Sequence, residues 1–259
     1  MQADEVELAV ADGIARVTLN RPARRNALTA SMANALTAAW ARIDADQAIR
    51  AVVLAAAPCG TFCAGMDLKE MAAARAEGAD LLARIADPFQ ERLRAVRQPV
   101  VAALNGHFSG AGMLLAMGAD IRVGLAGSRA AISEVRFGRG TSWAVPLLWM
   151  LPQPVLSEMM LTGAPLPVEE LWRHGFVNHL EATPEVVLAR ALALAGQIAR
   201  NAPLSVRAAK ATLAAGMDLG CAGGLARGAE LHRAVYASAD AQEGPSAFAE
   251  GRVPVWQGR

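Results

Sequence analysis

The stretch NGHFSGAGMLLAM occupies residues 105–117 and follows the apolar run PVVAAL at 99–104. A β-branched run, then small residues, then a Leu/Met/Ala-rich segment predicts a strand, a tight turn and a helix. The glycines of the turn permit close packing and leave backbone N–H groups free, and the helix directs its positive end at that turn. The sequence therefore predicts an anion site here, either for a phosphate or for a developing oxyanion.

Two enzyme classes that use small-residue turns do not match the surrounding residues. A short-chain dehydrogenase needs a tyrosine followed four residues later by a lysine, whereas the one tyrosine, Tyr236, is followed there by Asp240. A nucleophile elbow needs Gly-x-Ser-x-Gly, and Ser109 stands one position too late after Gly106. Nicotinamide chemistry and acyl-enzyme hydrolysis are both disfavoured.

Composition excludes several further classes of protein. The chain has 259 residues, of which 54% are hydrophobic and 19% charged, which is typical of one large globular domain with or without an extension. A formal net charge of +1 gives no general attraction for nucleic acid or for an anionic membrane. The three cysteines and four histidines lack metal-ligand spacing, so no metal site is predicted. No signal peptide or membrane span is predicted, and a cytoplasmic location is expected.

Strands and helices alternate in the first part of the predicted structure, and helices alone finish it. Residues 6–19 predict a hairpin around Asp12-Gly13, and Thr29 predicts the N-cap of a helix to about residue 43. The Ala-rich segment after residue 68 predicts one helix through about residue 96. From Thr183 onward the pattern is helical, with interruptions at 201–203 and 216–224. This order predicts an α/β fold with a helical C-terminal region.

Two loops of small residues, at 62–67 and 105–112, could each present a backbone N–H group. If both donors converge on one carbonyl oxygen, they form an oxyanion hole for a reaction that develops an enolate. Glycine content alone fits equally well with two ordinary tight turns.

At this point the sequence resembles the enoyl-CoA hydratase/isomerase (crotonase) family. The matching segments occur in family order over nearly the whole chain: LNRP at 19–22, NAL at 26–28, FCAGMDLKEM at 62–71, NG at 105–106, GAG at 110–112, LA at 115–116, DI at 120–121 and LTG at 161–163. The resemblance implies a spiral of ββα units over residues 1–200 that carries the CoA site. It further implies a helical trimerisation region over residues 201–259, and assembly as a homotrimer or a dimer of trimers.

The resemblance also implies the catalytic groups. By position, the oxyanion donors are the backbone N–H groups of Met66 and Ala111, and Glu134 carries the proton. Family hydratases place a second glutamate where this chain has Leu114, and a leucine can neither activate water nor accept a proton. The resemblance therefore favours double-bond isomerisation, with hydration by the single glutamate as the alternative. Trp143 is expected near Glu134, where an apolar ring would raise the pKa of that carboxyl; a surface Glu134 with Trp143 in the core is the other interpretation.

An acyl-CoA thioester is the implied substrate, and no separate cofactor is expected because the substrate carries the coenzyme A. Arg24 and Arg25 are the expected phosphate partners, with a merely solvated loop as the alternative. A CoA-binding protein without efficient catalysis is the second functional hypothesis, and nucleic-acid binding the third and weakest. The remaining residues expected to border the substrate or the CoA are Ala27, Ala64, Asp67, Leu68, Gly110 and Phe248.

Overall fold

The computed structural model describes residues 4–81, 83, 85 and 87–259. The chain begins with an antiparallel hairpin of β1 (Val6–Ala11) and β2 (Ile14–Leu19), as predicted from Asp12-Gly13. Asp12 and Gly13 have φ of 51° and 74°, the left-handed conformation that a two-residue hairpin turn requires. Thr29 caps α1 (Ala30–Ala45) by accepting the Met32 N–H at 3.1 Å, which confirms that prediction too.

Among the described residues, ten strands form two sheets. The large sheet has the order β1-β2-β3-β5-β7-β10 and is parallel from β2 onward. The small sheet has the order β4-β6-β8-β9, in which β4, β6 and β8 are parallel. The bounds of the remaining strands are β3 (Ala51–Ala56), β4 (Thr61–Cys63), β5 (Val100–Leu104), β6 (His107–Ser109), β7 (Ile121–Leu125), β8 (Arg129–Ala131), β9 (Leu166–Pro167) and β10 (His179–Glu181).

The chain alternates between the two sheets as it advances. Each of β3, β5 and β7 joins the large sheet, and the strand that follows it joins the small one. Helices α2 (Leu68–Ala76) and α4 (Ala111–Gly118) complete the first two of these units. The predicted α/β spiral of ββα units is thereby confirmed.

Two local predictions are wrong. The turn expected between β5 and α4 contains strand β6, which is only three residues long and therefore too short to leave a periodic signal. The single helix expected from residue 68 to 96 ends at Ala76, because Gly78 turns the chain with φ of 74°. A separate short helix, α3 (Glu91–Ala95), precedes β5. The expectation for residues 82, 84 and 86 lies outside the described residues.

Short helices and a strand lead from the small sheet to the C-terminal region. Segments of 3₁₀ helix span Glu134–Phe137 and Ser142–Trp149. They are followed by α5 (Gln153–Thr162), α6 (Val168–Arg173) and, after β10, by α7 (Pro184–Ala199). Helix α7 packs on the large sheet, where Val187, Ala191 and Ala195 are fully buried.

The C-terminal helices α8 (Pro203–Tyr236) and α9 (Asp240–Glu250) finish the chain. Helix α8 reverses direction at Gly220, whose φ and ψ are 70° and −179°. A Cβ added at Gly224 would lie 2.6 Å from the Cα of Gly216, so glycines bring the two halves into backbone contact. Lys210 ties the first half to the core through an ion pair with Asp120 at 2.8 Å. The predicted interruption at 216–224 is confirmed, while the division at residue 200 and the trimerisation role remain predictions.

Among the described residues, every helix is too short or too polar to cross a bilayer.

Candidate active site

Three loops meet at one edge of the small sheet. Because β4, β6 and β8 are parallel, the chain leaves all three at the same edge. The segments that begin there are 64–67, 110–111 and 132–134. Parallel pairing therefore gathers loops that are separated by up to 70 residues in the sequence.

The first two loops are in direct contact. A Cβ added at Gly65 would lie 3.3 Å from the Ser109 carbonyl oxygen and 3.9 Å from the Ala111 backbone nitrogen. Leu28 pairs with Met66 as an isolated parallel bridge, in which Leu28 N–H donates to Gly65 and Asp67 N–H donates to Leu28, both at 2.8 Å. In this pattern the Met66 N–H points away from Leu28. The Ala111 N–H is free of the helical ladder because Ala111 is the first residue of α4.

Glycine is required twice at the start of α4, once at its N-cap and once in its first turn. Gly110 has φ of 52° and ψ of −115°, which a residue with a side chain adopts only under strain. A side chain at Gly112 would overlap the carbonyl oxygen of Cys63, so glycine lets α4 rest against β4. Helix α4 is almost wholly buried, and its N-terminus carries its partial positive charge to the edge where the loops meet.

Glu134 lies beside this turn. A Cβ added at Gly110 would be 3.4 Å from Oε1 of Glu134, and Oε2 is buried without a hydrogen bond from any described residue. Burial raises the pKa of Glu134, and the nearby backbone N–H groups of Ser133 and Glu134 lower it by less. A half-buried carboxyl with a raised pKa holds a proton more readily than an exposed one, so it can both accept a proton and return it.

Leu114 and Trp143 contribute apolar surface. Both are half-buried and pack against the main core cluster. Leu114 lies on the first turn of α4, where its N–H donates to the Gly110 carbonyl at 3.0 Å. Trp143 is the second residue of the 3₁₀ segment Ser142–Trp149, and its carbonyl accepts a hydrogen bond from Gln90. The expected approach of the Trp143 ring to Glu134 remains a prediction.

The family model for "Enoyl-CoA hydratase/isomerase" matches residues 9–259. The chain is 32% identical to (E)-benzylidenesuccinyl-CoA hydratase of Thauera aromatica, over 98% of this chain and 99% of the relative. It is 34% identical to enoyl-CoA hydratase EchA19 of Mycobacterium tuberculosis, over 94% and 92%. A crystal structure of enoyl-CoA hydratase from Bacillus anthracis superposes with a TM-score of 0.91 at 25% identity, covering 99% of this chain and 100% of that one. The chain belongs to the enoyl-CoA hydratase/isomerase family.

Membership confirms the resemblance and makes the chain an acyl-CoA enzyme of crotonase fold. Both relatives above are named as hydratases, so the comparisons support hydratase-type and isomerase-type chemistry in general and give isomerisation no preference.

The loop before α1 contains a residue that sequence reasoning missed as part of the site. Asn26 is fully buried with φ of 50°, and its side chain donates to the carbonyls of Ala57 at 3.0 Å and Thr61 at 2.9 Å. Its Oδ1 accepts the Arg21 N–H at 3.0 Å. Asparagine tolerates this left-handed conformation, and Asn26 in the family motif could have signalled it. Asn26 positions the loop that pairs with Met66.

The residues predicted to border CoA surround these loops. Arg24 ends a short 3₁₀ helix (Pro22–Arg24) and is exposed, as is Arg25, whose φ is 53°. Arg25 accepts the Ala64 N–H at 3.2 Å through its carbonyl, which joins the two predicted CoA loops. Ala27 is half-buried and Leu68 exposed. Their contacts with CoA remain predictions.

The side chain of Asp67 stabilises the fold. Its carboxylate forms a 2.7 Å ion pair with Arg21 and caps α2 by accepting the N–H groups of Lys69 at 3.0 Å and Glu70 at 3.3 Å. The hydrogen bond from Arg21 is the main reason that the pKa of Asp67 lies below its usual value. The carboxylate is already occupied, so any contribution of Asp67 to substrate binding would come mainly from its backbone.

A cavity of about 520 Å³ lies against the small sheet, where residues of β4, β6 and β8 line it. Its lining includes Arg25 and Ala64, which are predicted to border CoA. It also includes Ser133, which directly precedes Glu134, the residue predicted to transfer the proton. Cys63 also lines it, and burial raises the pKa of that thiol to about 12, so the thiol is protonated and unreactive at neutral pH.

Phe248 is placed apart from this assembly. It lies on α9 with 90% of its surface exposed, so its ring is not packed into the loop site of its own chain. The predicted contact with CoA remains a prediction.

A buried arginine on β7, which the sequence did not single out, lies against the C-terminal end of α4. Arg122 donates to the carbonyls of Ala119 at 2.6 Å, Ala116 at 3.2 Å and Phe176, and its guanidinium stacks on the Phe176 ring. Burial lowers the pKa of Arg122 to about 10, so it stays charged at neutral pH. A cation at this end stabilises the helix whose other end faces the site.

Proposed function

We propose that this protein binds an enoyl-CoA thioester and moves its double bond between the 3- and 2-positions. In this proposal the backbone N–H groups of Met66 and Ala111 hold the thioester oxygen, and Glu134 carries the proton. The observation that carries the proposal is the position of Glu134 beside Gly110, with Leu114 in place of a second acid.

The two backbone donors answer the main chemical difficulty. An α-proton of a thioester is too weakly acidic to remove at neutral pH unless the enolate is stabilised. Two N–H donors and the N-terminus of α4 supply that stabilisation, since fixed dipoles need little reorganisation when charge develops. Such an arrangement lowers the activation free energy by several kcal/mol.

One carboxylate suffices for both proton transfers of the isomerisation. Glu134 removes a proton from C2 of a 3-enoyl-CoA, and the resulting dienolate places its charge on the thioester oxygen. The same carboxyl then returns the proton to C4, which leaves the double bond between C2 and C3. No water is consumed, and the carboxylate is regenerated.

Hydration of a 2-enoyl-CoA is the second candidate, and the names of the two hydratase relatives favour it. Hydration needs a base for water and an acid for C2. Without a carboxylate at Leu114, Glu134 would have to perform both tasks, which is the reason that we place isomerisation first.

The test uses the purified protein with 3-enoyl-CoA and 2-enoyl-CoA of equal chain length. We expect conversion of the 3-enoyl to the 2-enoyl ester to be faster than formation of 3-hydroxyacyl-CoA. Glu134→Gln, which keeps the shape but not the base, should lower the isomerisation rate by about 10²- to 10⁴-fold.

Three outcomes would contradict parts of the proposal. Fast hydration that Glu134→Gln abolishes would show that one carboxylate suffices for hydration here. Isomerisation that survives Glu134→Gln would exclude Glu134 as the base. Tight binding of CoA esters without turnover on any acyl chain would favour a non-catalytic CoA-ester-binding protein.

The remaining predictions belong to this proposal. We expect a homotrimer or a dimer of trimers in the cytoplasm, without nucleic-acid or membrane partners. Coenzyme A enters as part of the substrate, so no separate cofactor is required.

A further inference from the structure

A second cavity has a volume of about 250 Å³. Its lining comes from α2, from the turn after α2 and from the loop after Glu134: Met71, Arg75, Ala79, Asp80, Leu81 and Arg139.

Backbone geometry relates this cavity to the site. Met71 and Arg75 are four residues apart and therefore share one face of α2, and Asp67 is the N-cap four residues before Met71. Arg75 comes eight positions after Asp67, which is about 12 Å along the helix axis. On the other side, the Arg139 N–H donates to the Glu134 carbonyl at 2.9 Å. A chain that leaves the thioester along α2 would thus reach both arginines.

The charges of the lining point to an anion. Among the residues that the structure describes, none forms a hydrogen bond or an ion pair with the guanidinium group of Arg75 or of Arg139. Asp80 also lines the cavity and is not free of partners, so the positive side chains of the lining outnumber the negative ones by two to one. Two like charges that face one cavity repel each other, and an anion between them relieves that repulsion. Guanidinium groups bind carboxylates in a planar, bidentate geometry.

We propose that the acyl chain of the substrate ends in a carboxylate, which Arg75 and Arg139 bind. The proposal rests on the proposed function, because it requires the thioester to lie at Met66 and Ala111. Both arginines are specificity-determining groups, and neither takes part in proton transfer.

The test measures binding of two unreactive ligands by calorimetry. One is the saturated mono-CoA thioester of a dicarboxylic acid, and the other is the saturated acyl-CoA of equal chain length that ends in a methyl group. We expect the carboxylate-ended ligand to bind about tenfold more tightly, a moderate factor because both arginines are exposed. Raising the salt concentration should shrink that advantage.

Variants locate the effect. Arg75→Gln and Arg139→Gln should each reduce the affinity for the carboxylate-ended ligand about fivefold, while the affinity for the methyl-ended ligand changes less than twofold. Arg139→Lys should restore part of the loss. Arg16→Gln, an equal loss of charge at an exposed position on β2, is the matched control and should leave both affinities unchanged.

Two results would overturn the proposal. Equal affinity of the wild-type protein for both ligands would remove its basis. Equal losses for both ligands in Arg75→Gln or Arg139→Gln would place these arginines on the CoA moiety instead. Saturated ligands cannot react, so their binding does not depend on turnover. If the protein prefers the carboxylate-ended ligand but does not turn over enoyl-CoA, the proposed function alone is refuted. Turnover without preference would refute this inference alone.

Discussion

Gly110 and Glu134 lie so close together that a methyl group at Gly110 would be 3.4 Å from the carboxylate oxygen Oε1. The same glycine has a positive φ of 52°. We expect Gly110→Ala to cost about 1–3 kcal/mol of stability from backbone strain. We also expect a loss of about 10²-fold in kcat, because the turn that presents Ala111 moves relative to Glu134. Thermal unfolding and steady-state kinetics measure the two effects.

Gly127→Ala is the control for that substitution. Gly127 has φ of 77° with open space around its Cα, so alanine there brings strain without a new contact. It should lower stability and leave kcat within about twofold. Equal kinetic losses in both variants would mean that activity follows global stability and not the geometry of the turn.

The pH dependence of activity should report Glu134. Because burial raises the pKa of Glu134, kcat/KM should rise with pH and level off above a pKa higher than the ordinary value of 4.5. In the proposed reaction the carboxylate is the base, so activity should be lost as pH falls through the raised pKa. The residual activity of Glu134→Gln should lack this limb. A limb at or below 4.5 in the wild-type protein would contradict the prediction.

Leu114→Glu should change the balance of reactions. A carboxylate on the first turn of α4 would supply the second acid that hydration uses, and the N-terminal helix dipole favours a negative charge there. We expect the ratio of 3-hydroxyacyl-CoA to 2-enoyl-CoA formed to rise about tenfold or more. Leu114→Gln introduces a side chain of nearly the same shape as glutamate but without the acid, and it should not raise this product ratio. An equal rise in both variants would assign the effect to pocket polarity.

The ion pair between Arg21 and Asp67 should affect stability in a pH-dependent manner. Asp67→Ala removes a helix cap and a largely buried partner, at an expected cost of about 1–2 kcal/mol at pH 7. Since the pKa of Asp67 is lowered in the fold, its contribution is present above the unfolded-state pKa. It fades as pH falls through the folded-state pKa. Denaturant unfolding at pH 7 and pH 3 measures this, with the exposed pair Arg227–Glu230 as a control that costs less than about 0.5 kcal/mol.

Asn26→Ala should be more damaging than its place in a loop suggests. It removes the Asn26 amide from the half-buried Ala57 carbonyl and from the Thr61 carbonyl, which keeps only the weaker Cys59 Sγ donor, and it leaves the Arg21 backbone N–H without its acceptor. We expect a loss of about 2–4 kcal/mol. The loop that pairs with Met66 should loosen, so KM for the CoA ester should rise as well. Asn20→Ala removes a half-buried asparagine of the same motif whose hydrogen bonds are exposed, and it should cost less than about 0.5 kcal/mol. Similar losses at both positions would contradict the positioning role of Asn26.

The sequence by itself determined the local elements and the family. The hairpin at Asp12-Gly13, the cap at Thr29 and the helix after Gly110 depend on backbone preferences of a few neighbouring residues. The ordered motifs sufficed for the family, and through it for Glu134 and the two loop donors as candidates. Leu114 could be interpreted from its side chain alone, since a leucine has no proton to exchange.

Only the tertiary structure decided how these parts meet. Strands β4 and β6 are three residues long and leave no periodic signal, yet their parallel pairing brings Gly65 and Gly110 together. The contacts of Asn26 and the reversal of α8 at Gly220 join segments whose partners are far away or folded back, which no local pattern encodes. No local pattern predicts that Arg75 of α2 and Arg139 of the loop after Glu134 line one cavity. Their convergence is a consequence of packing, and packing is settled by the whole chain.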